Sequence, residues 1–186
     1  MIGRHRVFIS YHDGRGQPSG GDWQYRYEFE RLFHLQAEVL VSGAVQDGDI
    51  DPGLPVETTR RLIRDKYLRD TSVTVVLVGA RTWQRKHVDW EIGSSLRDTE
   101  YNPRSGLIGI LLPSYPGYPN SYDPHTIPPR LNDNVVCGYA KLYRWTPNPE
   151  HIRTWVHEAY LRRKQVLPVN SRDQFVNNRS GDRWND

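Results

Sequence analysis

Two side chains capable of chemistry, His87 and Glu91, stand four residues apart just after a strongly apolar run. That run, Val73 to Val78, is nearly continuous in β-branched residues, with Thr74 its only polar member. It reads as a strand buried on both faces. Gly79-Ala80 ends it, and the period then changes: Val88, Ile92, Ser95 and Leu96 recur at helical spacing. Residues i and i+4 of a helix share a face, so His87 and Glu91 point the same way. Such a pair could contribute to a metal site, but the sequence suggests no third ligand, and none is assigned. A single carboxylate could instead offset positive charge developing on a substrate. By periodicity alone it could equally be an ordinary exposed helix carboxylate beside Lys86 or Arg97.

Other chemistry-bearing residues are weaker candidates. Gly14-x-Gly16 follows a strand, yet the third glycine of a dinucleotide fingerprint would fall at position 19, where Ser19 stands behind Pro18. Asp47, Asp49 and Asp51 resemble the start of a calcium loop, but Pro52 and Thr58 occupy the positions that need Gly and Glu. Cys137 reads as a small buried apolar residue rather than a nucleophile. Arg60, Arg61, Arg64, Lys66 and Arg69 make one side of a helix basic, which is most simply a solvated face.

The elements that must position Glu91 can be read in order. Arg6 to Tyr11 is a first strand. Asp22 can cap a helix from Trp23 to about Ala37 that buries Tyr25, Phe29, Leu32, Phe33 and Gln36. Glu38 to Val45 is a weaker second strand with a bulge at Gly43. Pro55 to Arg69 is a helix with Val56, Leu62, Ile63 and Tyr67 inward. Leu107 to Leu112 is a fourth strand, and Pro113 to Pro129 a long irregular loop of the kind that often carries function. A fifth strand falls at Lys141–Tyr143 or Val135–Cys137. Asn148-Pro149 is an N-cap with Pro at the first helical position. The helix it opens places Ile152, Trp155, Val156, Ala159 and Tyr160 on one stripe.

This alternation predicts an α/β fold, a doubly wound, flavodoxin-like parallel sheet of about five strands with helices on both faces. In such sheets ligands bind at the carboxyl ends of the strands, where the first and third βα turns open into one crevice. Phe8, Ser10, Tyr11 and His12 from the first turn, and Gly79, Ala80, Trp83 and His87 from the third, are the candidates to line it. Phe8 fits plain core as well, and Trp83 could stack on a base or cover the sheet edge.

Composition sets the outer bounds. The 186 residues suit one domain, assigned to 1–167, with a polar and loosely attached tail over 168–186. Net charge is +3 with Lys+Arg 25 against Asp+Glu 22, a mixed surface that argues against a nucleic-acid partner. Mean hydropathy is −0.74, and no apolar run approaches the roughly 18 residues of a membrane span. The first residues contain no apolar stretch of signal-peptide length. A lone cysteine fits a reducing compartment, and a cytoplasmic location is expected.

The motifs R-V-F-I-S-Y-H, D-T-S-V-T-V-V-L-V-G and T-W-Q-R-K-H-V-D-W-E-I, in that order, resemble the TIR domain. Within it they are most similar to the TIR-like ThsB proteins of the bacterial Thoeris antiphage system. The likeness is strong over Arg6–Tyr11 and Asp70–Leu112 and weak elsewhere. It implies an enzyme that cleaves NAD at the nicotinamide–ribose bond, with NAD as substrate and no cofactor. The glutamate it implies is Glu91. A phage-derived trigger would switch on production of a cyclic ADP-ribose isomer or related signal. That diffusible nucleotide would reach a partner effector. Where the family often carries Trp, this chain has His87. The chemistry agrees with a lone carboxylate. Ordinary glycosidases need a pair because an alkoxide must be protonated as it leaves. Nicotinamide is cationic when attached and leaves neutral, so no general acid is required. Two other readings stay open: a non-catalytic TIR adaptor acting through a homo-oligomer, and a nucleoside-transferase-like enzyme of similar fold.

Overall fold

A computed structural model describes residues 4–15, 21–33, 39–42, 50–51, 53–100 and 102–185. Among the described residues five strands form one sheet: β1 (His5–Ser10), β2 (Val39–Ser42), β3 (Val73–Val78), β4 (Gly106–Leu111) and β5 (Ala140–Arg144). All are parallel, in the order β2-β1-β3-β4-β5. The helices are α1 (Trp23–Phe33), α2 (Val56–Lys66), α3 (Lys86–Ser95), α4 (Pro129–Val136) and α5 (Pro149–Arg162). This is the flavodoxin-like strand order, and its direction of winding reverses between β1 and β3.

The two-residue period of the strands sorts their side chains into two cores. Val7 and Ile9 of β1 and Val73, Val75 and Leu77 of β3 pack with Phe29 and Phe33 of α1 and with Ile152, Val156 and Ala159 of α5. Val76 and Val78 face the other way, toward Val88, Ile92 and Leu96 around α3 and Leu131 of α4. Phe8 also faces that side, packed with Ile63 and Leu68 from the α2 region and Trp90 of α3. At Gly106 a Cβ would lie 2.4 Å from the Ala159 carbonyl, so α5 rests directly on the start of β4.

Several expectations change. Helix α1 is described only to Phe33, and Gln36 and the bulge at Gly43 lie outside the described residues. Leu62 is not inward but 40% exposed, whereas Ile63 and Leu68 are buried. Val135–Cys137 is no strand. Pro128 and Pro129 start α4, with a proline where no helical N–H is needed, and β5 follows at Ala140. Cys137, at the end of α4, is exposed rather than buried. Asn148 does cap α5, accepting from the Glu150 N–H at 3.0 Å.

The segment after residue 167 is docked, not loose. Phe175 and Trp184 are buried. The Phe175 carbonyl accepts from Trp90 Nε1 at 2.8 Å, and its N–H donates to Asp89 Oδ2 at 3.1 Å. Asn178 Oδ1 accepts from the Lys86 N–H, so this segment supplies a cap for α3. Trp184 Nε1 donates to the Ile127 carbonyl. A polar composition concealed this because most of the anchoring is by backbone hydrogen bonds and two aromatic side chains. Among the described residues no helix is long and apolar enough to cross a membrane.

Candidate functional site

Helix α3 carries Glu91 and is buried all round, from His87 through Ser95. Strand β3 lies beneath it, α2 and α4 flank it, and the C-terminal segment crosses its first turn. Glu91 itself has no exposed surface, which excludes the reading of a solvated helix carboxylate. Neither of the cations first considered as its neighbours is engaged with it in that way. Arg97 pairs with Glu57 at 2.6 Å, and Lys86 lies over the Trp90 ring.

The partner of Glu91 comes from β1. Ser10 shares a strand face with Phe8, the face that looks toward α3, and its hydroxyl donates to Glu91 Oε2 at 2.5 Å. The next residue continues the contact with α3. The Tyr11 carbonyl lies 3.2 Å from His87 Nε2, and since a carbonyl only accepts, that nitrogen carries the proton. The structure thus joins Ser10, Tyr11, His87 and Glu91 across the point where the sheet reverses its winding. His12 is buried beside them, and its carbonyl accepts from the Asp22 N–H at 2.8 Å.

The other candidates separate. Phe8 is fully buried in the core under α2 and α3. Ala80 and Trp83 line a cavity between the β3–α3 turn and residues 179–182, and Glu91 is not among its lining residues. Ala80 is exposed there, while Trp83 is 2% exposed. Among the described residues no three His, Cys, Asp or Glu side chains gather as a metal site requires.

Asp22 stands at the start of α1 as expected, its carbonyl accepting from the Tyr25 and Arg26 N–H groups, but its side chain has another task. Read as a helix cap, its carboxylate instead accepts from Ser114 Oγ at 2.7 Å and from Thr82 Oγ1 at 3.3 Å. It ties together the turns after β1, β3 and β4. Gly79 makes room for it: a Cβ there would lie 2.2 Å from Asp22 Oδ1. Burial pushes the Asp22 carboxyl above its ordinary range, opposed by the two hydroxyl donors. Burial likewise pushes the Tyr11 phenol up, helped by the charge of Asp13. Ser114 could have been suspected, because it follows a strand at the ligand-binding end of the sheet. Thr82 gave no local signal, and that of Asp22 was the cap position alone.

A second carboxylate therefore stands at the carboxyl ends of the strands, but its neighbours are hydroxyls and backbone of three turns. Its arrangement is that of a brace. Glu91, which accepts from the Ser10 hydroxyl of the adjacent strand, is the carboxylate buried where the winding of the sheet reverses.

No curated protein matches this chain. Residues 8–116 match the family model described as Thoeris protein ThsB, TIR-like domain. The matched span runs from within β1 past β4 and includes Ser10, His87 and Glu91, and on that match the chain belongs to the ThsB TIR-like family.

Proposed function

We propose that this protein cleaves the nicotinamide–ribose bond of NAD, with Glu91 stabilising the positive charge that develops on the ribose. The observation that carries this reading is the Ser10–Glu91 hydrogen bond at the winding reversal of the sheet. Membership of the family supports a role in antiphage defence.

As the bond lengthens, the electron pair leaves with nicotinamide and the ribose becomes an oxocarbenium-like cation. A carboxylate in a low-dielectric setting stabilises such charge far more than one in water. Glu91 is fully buried, so it has little water to screen it. Ser10 donates to one oxygen of Glu91 and so orients the other. The His87–Tyr11 contact holds the opening of the first turn against α3. Attack on the cation by a hydroxyl of the same molecule, in place of water, with its proton released to solvent, yields a cyclic ADP-ribose isomer or a related signal. That product activates a partner effector. The work is done in the cytoplasm by a protein that needs no metal or cofactor.

The test is nicotinamide release, followed by chromatography, from NAD incubated with the purified protein and a lysate of phage-infected cells. Release by the wild type and its loss in Glu91→Gln are expected. Equal release by Glu91→Gln would remove Glu91 from the chemistry, and absence of turnover with every trigger would favour an adaptor.

A further inference from the structure

We propose that the cavity between the β3–α3 turn and residues 179–182 binds a phosphate-bearing nucleotide, at a site separate from Glu91. The cavity measures about 700 Å³. That is far more than a phosphate ion needs and lies within the roughly 300–1,000 Å³ of small-molecule sites. Its charge is strongly one-sided. Arg81, Arg85 and Arg179 line it against a single carboxylate, Asp182.

These cations are brought together by the fold, from two parts of the chain about a hundred residues apart in sequence. The Arg179 N–H donates to the Gln84 carbonyl at 2.7 Å, and Gln84 Nε2 donates to the Gly181 carbonyl at 2.9 Å. Those two bonds fix the C-terminal wall to the turn that carries Arg81 and Arg85. The Arg179 guanidinium is laid over the Phe175 ring at 3.9 Å, which restricts its plane. Among the described residues neither Arg81 nor Arg179 has a carboxylate in an ion pair. Both are exposed. Convergent like charges repel until an anion joins them, and arginine forks match phosphate oxygens bidentately. Ala80 and Pro116, both exposed, supply with the edge of Trp83 an apolar flank that a bare phosphate would leave unused but a nucleoside would cover.

The experiment is calorimetric titration of the full chain with ADP, inorganic pyrophosphate and adenosine. ADP is expected to bind saturably, pyrophosphate more weakly, and adenosine not measurably. Arg81→Ser with Arg179→Ser should lower ADP affinity at least roughly tenfold, while Arg81→Lys with Arg179→Lys, which keeps the charge and loses the fork, should fall between that variant and the wild type. Glu91→Gln should leave it unchanged. Melting curves matching the wild type establish that the arginine variants are folded. Absence of saturable ADP binding, indifference to the serine substitutions, or an equal loss in Glu91→Gln would each overturn the inference. None of these readings depends on NAD turnover, so a chain that releases no nicotinamide still tests the site.

Discussion

Ser10 Oγ and Glu91 Oε2 lie 2.5 Å apart although 81 residues separate them in sequence. One closes the first strand of the sheet and the other sits midway along α3. Glu91→Gln keeps the shape and can still accept from Ser10, but removes the charge. Nicotinamide release should fall by about 100-fold or more, the scale of losing a preorganised electrostatic contact. Ser10→Ala keeps the charge and loses its orienting donor, so release should fall by roughly tenfold. Initial rates under one fixed trigger check both, and a larger loss for Ser10→Ala than for Glu91→Gln would reverse the assignment.

Asp22 predicts a pH-dependent difference. Its pKa is raised above the ordinary 3.8 by burial, so the folded state holds the proton more tightly than the unfolded one. The stability this contributes is present below 3.8 and is lost as pH rises through the folded value. Asp22→Asn has no such loss. Its urea midpoint, measured relative to wild type, should therefore improve as pH is raised from 3.8. Gly79→Ala, which drives a methyl into the same carboxylate, should destabilise at every pH.

Arg130 is fully buried and pairs with Asp89 at 3.0 Å, while its other nitrogens donate to Asn170 Oδ1 and to the Arg172 and Asp173 carbonyls. Arg130→Met leaves Asp89 buried without this cation and frees the C-terminal segment at three points. The expected cost is about 3–5 kcal/mol by urea unfolding, with new proteolytic cleavage after residue 167. Adding Asp89→Leu should recover part of the loss, since the orphaned charge goes with it. No recovery in the double variant would contradict this account.

His5 gives the opposite pH signature from Asp22. Burial, with His157 and Arg163 nearby, lowers its pKa from 6.5 to about 4. The unfolded chain therefore takes up the proton first as pH falls. Stability contributed by neutral His5 is present above 6.5 and is lost between 6.5 and about 4. His5→Phe should flatten that part of the stability–pH curve relative to wild type. A parallel curve for the variant would show that His5 does not titrate this way.

The sequence by itself determined the frame. Val73–Val78 and Leu107–Leu112 are apolar on both faces, which only a strand covered by helices can satisfy, and Asn148-Pro149 marks the start of α5 from purely local chemistry. The change of period after Gly79 placed Glu91 on a helix at the ligand-binding end of the sheet, and the family motifs pointed to the same residue. What it could not determine were contacts set by strand order and not by neighbours in the chain. Period two puts Ser10 on the face of Phe8, but only the pairing of β1 with β3 brings that face under Glu91. Asp22 looked like a cap because capping is local, while Thr82 and Ser114 are 60 and 92 residues away. Cys137 looked buried by residue type, yet it ends a helix on the surface. The polar C-terminal segment looked loose, because composition measures side-chain hydrophobicity and not backbone hydrogen bonds. Its carbonyls and N–H groups find partners on α3 and α4, and that docking supplies one wall of the arginine-lined cavity.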